Sequence, residues 1–472
     1  MRNNFVLLAC VLLGFSSAFG KSEAQQVGSQ VPQPARRIVL DLPGDPRRPV
    51  KLRVPVVFPP GTGPFPLALW NHGSNGEGLI VDEKNVGQNM GVYYLLSRGY
   101  AVAMPLMRGF GQSGGRLSAT GCQLDDLAHD TAADLLAVID HLAKRSEFAA
   151  DRILVAGSSF GGWNSLALGA LQGARVAAIV NFYGGLHSST CRNDSGALIE
   201  SSSRIGARNP VPSLWIYGSN DRLFPKPLWQ AMHHAYVTRG GQAELVDFGL
   251  YKSNSHKLLS DPYSIVLFAD KVDRFLASVG LPSKNVHPEY VPIEPPQPSG
   301  YASINDIDAV PFLNEQGQAL YKKFLTAVPP RVFVIAPNAV VISETGGFDP
   351  LARAMTTCKQ RKVTCWPYAF NDAVVWAYPT PSPPPSRFAK LEDVDALPYV
   401  DVAGKTAYRQ FLTAKRPRAF VIAPSGAWSM AVGDVDPVAA ALAKCSGEDH
   451  ATCRPYAVDR MVVWPQTATV AH

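Results

Sequence analysis

The chain has 472 residues, 46% of them hydrophobic and 17% charged, with a formal net charge of +6. That length exceeds one ordinary domain, and the apolar fraction suffices for a large core. The basic residues are scattered rather than gathered with stacking aromatics on one face, which argues against nucleic acid as a partner.

Residues 1–24 read as an export signal. Arg2 supplies the positive start, residues 5–15 the apolar stretch, and Ala18-Phe19-Gly20 or Ser22-Glu23-Ala24 the small residues for cleavage. The stretch is shorter than the roughly 20 apolar residues that cross a bilayer, and no later segment reads as transmembrane. Leu8 stands where a lipid-attachment motif at Cys10 would want a small residue. A periplasmic or secreted protein is expected. Beyond the signal, Cys122, Cys191, Cys358, Cys365, Cys445 and Cys453 remain, an even set that predicts three disulfides in an oxidising compartment. The close pairs lack the spacing and the neighbouring histidines of a zinc site, so no metal and no cofactor is expected.

From residue 35 to 280 apolar runs (67–71, 100–104, 153–157, 177–182, 213–218 and 243–248) alternate with helical patterns at 124–144, 162–171, 227–239 and 262–279. Near-continuous apolar strands between helices predict an α/β fold with a mostly parallel sheet covered on both faces. Ligands bind such sheets at the carboxyl ends of the strands.

The most informative stretch is 153–162, Ile-Leu-Val-Ala-Gly-Ser-Ser-Phe-Gly-Gly. A strand-like run stops at Gly157, Ser159 is bracketed by Gly157 and Gly161, and a small-residue helix pattern follows at once. That frame fits a nucleophile elbow, a sharp strand-to-helix turn holding a serine hydroxyl above the sheet. Gly111-Gln112-Ser113-Gly114-Gly115 has the same glycine spacing, but no strand runs into it and no helix leaves it.

A serine needs a base to take its proton, usually a histidine oriented by a carboxylate, and here these should follow in the order acid, then histidine. Asp221 follows the strand at 213–218, and His256 lies in the polar loop before the last helix. Both loops open on the edge that carries Ser159. Asp247 is the runner-up acid; His233, His234, His287 and His450 fit less well as base. The N–H of Phe160, next after the nucleophile, and that of Ser74, where a strand breaks into His72-Gly73-Ser74-Asn75-Gly76, are the expected oxyanion donors. His72 is expected to hold that loop by hydrogen bonding.

With these residues in view, 35–280 resembles the dienelactone-hydrolase branch of the α/β-hydrolase superfamily. The resemblance rests on His72-Gly73-Ser74-Asn75-Gly76, Arg108-Gly109-Phe110-Gly111-Gln112-Ser113, Gly157-Ser158-Ser159-Phe160-Gly161, Tyr217-Gly218-Ser219-Asn220-Asp221 and Ser255-His256. Dienelactone hydrolase itself carries a cysteine nucleophile; Ser159 stands here instead, so the resemblance implies general esterase chemistry. Cys122 and Cys191 fall in loops of the catalytic edge and are predicted to pair and stiffen its mouth.

The rest divides at two proline-rich stretches, 281–303 and 378–390, expected to act as semi-rigid spacers. The modules that follow them, 304–377 and 391–465, are repeats: 306–337 matches 393–424, Asp349-Pro350 matches Asp436-Pro437, and Cys358 matches Cys445. Each reads helix, strand, helix, strand, with its cysteine pair tying the second helix to the last strand. They resemble small cysteine-containing domains of exported bacterial proteins and carry no chemistry.

The expected function is therefore an exported serine hydrolase of small-molecule carboxylic esters. Two alternatives are a prolyl-oligopeptidase-like peptidase sharing this machinery, and a binding protein whose repeats dock a cell-envelope or protein partner.

Overall fold

Parallel pairing of buried apolar runs builds one large sheet. The computed structural model describes residues 32–74, 81–118, 121–171, 175–445 and 453–465; the export signal expected at 1–24 lies outside the described residues. In chain order the first elements are β1 (Arg36–Pro43), β2 (Lys51–Phe58), β3 (Phe65–Asn71), α1 (Met90–Ser97), β4 (Ala101–Ala103), α2 (Leu124–Leu142) and β5 (Phe148–Ser158). Then come α3 (Phe160–Gly169), β6 (Val176–Phe182), α4 (Asp194–Gly206), β7 (Ser213–Tyr217), α5 (Lys226–Thr238), β8 (Ala243–Asp247) and α6 (Ile265–Ser278). Among the described residues the strand order is β1-β2-β4-β3-β5-β6-β7-β8. β1 and β2 are antiparallel at one edge, and β4 through β8 run parallel.

Successive strand residues point to opposite faces, and two neighbouring pairs show how both faces are covered. Trp70 is buried against α1, where a Cβ on Gly91 would come within 2.1 Å of its ring, whereas Asn71 donates its side-chain N–H to Ser165 Oγ of α3 at 2.8 Å. On β6, the Phe182 ring lies 5.2 Å from Phe268 of α6, and Asn181 lies against Gly162 of α3. This is the α/β architecture expected from the alternation. The structure adds β1, β2, α1 and α4 to it. Every residue of α1 is buried, so no amphipathic period marks it in the sequence.

In the loop after β4, Arg108 grips Asp134 with two hydrogen bonds (Nε to Oδ2 3.0 Å, Nη2 to Oδ1 2.7 Å), both side chains under 10% exposed. Asp134 also accepts the Asp45 N–H, and Arg108 also donates to Arg48 O. A buried ion pair is tolerable when its remaining donors and acceptors are used in this way. Ser113, the decoy serine, is buried beside it with its hydroxyl donating to Leu106 O.

The repeats are two copies of one small fold. The first has α7 (Glu315–Thr326), β9 (Arg331–Ala336), β10 (Val340–Thr345), α8 (Pro350–Gln360), β11 (Trp366–Phe370) and β12 (Ala373–Val374). The second has α9 (Val402–Thr413), β13 (Arg418–Ile422), β14 (Trp428–Val432), α10 (Pro437–Lys444), β15 (Arg454–Val458) and β16 (Met461–Val462). Their antiparallel sheets are ordered β10-β9-β11-β12 and β14-β13-β15-β16. Each strand of the sequence reading is thus a hairpin. The turns use positive φ at Asn338 (61°) and Asn371 (50°) in one copy, and at Gly426 (92°) and Asp459 (51°) in the other, conformations that asparagine, aspartate and glycine tolerate best. Asp349 and Asp436 cap their helices, accepting from Ala352 and Ala439 N–H with proline at the first helical position. The proline-rich stretches are docked: Asp349 holds Ile293 N–H, Asp436 holds Thr380 N–H, and Val462 O accepts from Ser386.

The cysteines pair as Cys122–Cys191, Cys358–Cys365 and Cys445–Cys453, with sequence separations of 69, 7 and 8. Loop-closure entropy makes the longest loop count most. Replacing Cys122 and Cys191 by serine is expected to cost about 4 kcal/mol, against about 2.5 for Cys445 and Cys453. Urea unfolding followed separately through the large sheet and the repeats measures both.

Candidate active site

β5 runs into Ser159, whose φ of 53° and ψ of −126° break the strand and start α3 in one residue. A non-glycine residue held there is strained, and the neighbouring backbone explains why it stays. A Cβ on Gly161 would sit 2.0 Å from Asn71 O and 2.6 Å from His72 O; one on Gly157 would meet the Gly161 carbonyl at 2.6 Å. The end of β3 and the first turn of α3 therefore touch backbone to backbone. Gly73 continues that contact, since its Cβ would lie 3.3 Å from the Ser159 Cβ. Phe160 is the first residue of α3, a position whose N–H has no intrahelical acceptor and faces the positive end of the helix dipole.

Asp221 lies in the loop after β7, with its side chain fully buried. Its Oδ1 accepts N–H groups from Leu223 (2.8 Å) and Phe224 (3.0 Å), and its Oδ2 stands 2.8 Å from His256 Nδ1. A carboxylate so placed keeps the proton on Nδ1 and leaves Nε2 as the accepting nitrogen. His256 sits in a 3-10 turn, Ser255–Ser260, its N–H bonded to Asn254 Oδ1 and its ring 4.6 Å from that of Tyr183. Ser159 Oγ makes no hydrogen bond among the described residues, so the serine–histidine contact is not closed here. Unliganded active sites commonly hold this contact long.

Hydroxyl and imidazole open into adjoining hollows. Ser159 lies in a cavity of about 370 Å³ with Ser74, Phe160 and the apolar side chains of Phe110, Leu117, Leu127 and Phe224. His256 borders a second hollow of about 330 Å³ that includes Gly73, Ser158 and Tyr183. Ser74 therefore lies in the same cavity as Ser159; Asn75 and Gly76 of its motif lie outside the described residues. His72 is buried, with Nδ1 donating to Gly73 O (2.8 Å) and Nε2 accepting Met107 N–H (3.0 Å). It pins the loop that leads to Ser74. Burial pulls its pKa from 6.5 down to about 4.

The other candidates stand elsewhere. Asp247 is engaged by Lys226 and Ser219, and His233 donates to Ala243 O. His450 lies outside the described residues. Two residues not singled out in the sequence also shape the site. Tyr183, at φ 39°, is buried beside His256. His187 bridges Asp194 Oδ2 (2.6 Å) and Leu223 O (2.9 Å) and stacks on Phe224 at 5.0 Å. It ties the Cys191 loop to the loop that carries Asp221. Among the described residues Asp125, Asp126 and His129 bring metal-ligating atoms within 4.8 Å of one another, but Asp125 is already held by Arg204 and Ser201.

A family model described as X-Pro dipeptidyl-peptidase (S15 family) matches residues 48–200, which include Ser159 but neither Asp221 nor His256. No curated protein matches the chain. Among solved structures, an esterase of Pyrococcus furiosus is 16% identical over 52% of this chain and 90% of its own, with a TM-score of 0.38. Acetyl xylan esterase 1 of a Thermoanaerobacterium species is 18% identical over 53% of this chain and 86% of its own, at 0.37. Dipeptidyl peptidase 4 of Porphyromonas gingivalis is 18% identical over 51% of this chain and 35% of its own, at 0.39. The sheet order and the strand–Ser159–helix turn give residues 36–278 an α/β-hydrolase type of fold.

The buried His72 makes stability depend on pH. Its folded pKa of about 4 lies below the unfolded 6.5, so the unfolded chain takes up the proton first. The two states are unaffected above pH 6.5; as pH falls from there to 4 the folded state loses up to about 3 kcal/mol. The His72→Gln variant should lose correspondingly less between pH 7 and 4.5 in denaturant titrations. An equal loss in both proteins would remove His72 as the cause.

Proposed function

We propose that the protein is an exported serine hydrolase that cleaves carboxylic esters through an acyl-enzyme, of dienelactone-hydrolase-like type with serine as nucleophile. In this reading Ser159 Oγ attacks the ester carbonyl as His256 Nε2 takes its proton. Asp221, held by two backbone N–H groups, keeps the imidazole in the right tautomer and stabilises the imidazolium. The N–H groups of Phe160 and Ser74 receive the oxyanion; His256 then protonates the leaving alcohol, and water releases the acid. The carrying observation is the His256–Asp221 pair at 2.8 Å on the sheet edge where Ser159 is held at positive φ. The apolar cavity around Ser159 suits an uncharged acyl or alkyl group of modest size.

We further infer a hydrolase unit at 35–280 and repeat modules at 304–377 and 391–465. Three disulfides among the described residues support a periplasmic or secreted location. The second reading, a peptidase acting on X-Pro bonds, is favoured by the family-model match over 48–200.

Fluorophosphonate labelling should be complete in the wild type and vanish in Ser159→Ala; labelling that persists there would move the nucleophile elsewhere. Asp221→Asn should lower kcat by roughly 10⁴ with binding little changed. Nitrophenyl esters of short acids compared with X-Pro nitroanilides, each measured as kcat/KM, separate esterase from peptidase.

A further inference from the structure

The two repeats build the same buried arginine but complete it differently. In the first, Arg331 Nη1 donates to Phe324 O and Ala327 O, Nε to Asn371 O, and Nη2 to Asp372 Oδ1 at 2.6 Å. In the second, Arg418 is 6% exposed; its Nη1 donates to Phe411 O and Ala414 O and its Nε to Asp459 O. The residue matching Asp372 is Arg460, and those matching Val328 and Pro329 are Lys415 and Arg416. The first copy pairs its arginine with Asp372 beside a neutral Asn371; the second has Asp459 in the place of Asn371 beside Arg418, and adds Lys415, Arg416 and Arg460 on the same lining. Among the described residues Arg418 Nη2 has no hydrogen-bond partner.

These cations line a cavity of about 590 Å³ at the junction between the repeats, together with an apolar wall that includes Val310, Phe312 and Leu313 of the first module and Leu412 and Val432 of the second. The nearby carboxylates do not cancel the charge. Asp459 accepts the Arg418 N–H and the hydroxyls of Tyr301 and Tyr378, while Asp306 is shared by Arg416 (3.4 Å) and Arg460 (3.6 Å). Asp308 is the remaining acid on the lining. Burial lowers the pKa of Arg418 below the ordinary arginine value, with Asp459 opposing the shift and Arg416 and Arg460 adding to it.

We propose that this junction binds a small organic anion, a carboxylate or phosphate head on an apolar body, with the head held by Arg418 Nη2 and Arg460 and the body on the apolar wall. A guanidinium edge offers paired donors to either head, and the volume lies in the range of small-molecule sites. The site is separate from the Ser159 cavity and does not depend on the function proposed for it.

Calorimetric titration of the full chain at low salt with benzoate, phenyl phosphate and the neutral benzyl alcohol tests this. At least one anion should bind with unit stoichiometry, and which one binds tighter identifies the preferred head. Benzyl alcohol should bind at least tenfold more weakly. Arg460→Asp, which installs the first copy's acid, should weaken the anion about tenfold or more, and Lys415→Val by less. Fluorophosphonate labelling should be unchanged in both, and urea unfolding followed through the repeats should show that each variant is folded. No anion binding at millimolar concentration, equal binding by Arg460→Asp, or equal binding of benzyl alcohol would each overturn the proposal.

Discussion

Two backbone carbonyls at the end of β3 decide where Ser159 stands. Asn71 O and His72 O press against Gly161 so closely that a single methyl group there would overlap them. The helix that starts at Phe160 cannot retreat, because each of its ten residues is buried. Ser159 is left to absorb the change of direction, at a strain of about 1–3 kcal/mol. Parallel pairing of Asn71 with Gly157 fixes the register of that contact, and the Asn71 side chain, bonded to Ser165, fixes its depth. The placing of the hydroxyl in its cavity is thus a product of packing behind it.

Everything else at the site is loop, and each loop is held by a tie of its own. His72 fastens Gly73 to Met107. Asp221 gathers Leu223 and Phe224 before it meets His256, and His187 reaches from the Cys191 loop to the same segment. Cys122–Cys191 closes the ring between the start of α2 and the loop before α4. An imidazole ordered by a carboxylate that is itself ordered by two N–H groups has little orientational freedom left to lose.

What could be read from the sequence was what local chemistry determines. Gly157, Ser159 and Gly161 are legible because the turn's steric demands fall on three positions within five residues. Ser113 shares their spacing, yet no strand leads into it, and the structure uses it to close a turn. Asp221 and His256 are legible through chain order, since each follows an apolar strand into a polar loop on the same edge. α1 is not, because burial on every side erases its period. The second hairpin of each repeat also escapes, because β12 and β16 are two residues each. Tyr183 and His187 act through contacts across the fold and leave no local signal.

The repeats carry the same logic into the C-terminal part. Tyr263, between the last strand and last helix of the large sheet, packs on the Val332 core of the first module, its ring 5.0 Å from Phe370 and its hydroxyl toward Asp349. Tyr378, at the end of the first module, packs on the matching Ala419 core of the second, its hydroxyl on Asp459 at 2.5 Å. Each module is therefore seated on the unit before it by a tyrosine entering the same face. A junction built this way brings side chains of two modules into fixed relation. That fixed relation is what makes the exchange of Asp372 for Arg460 consequential: it sets Arg460, paired with Asp306, on the same cavity lining as the buried Arg418 and the apolar side chains of the first module.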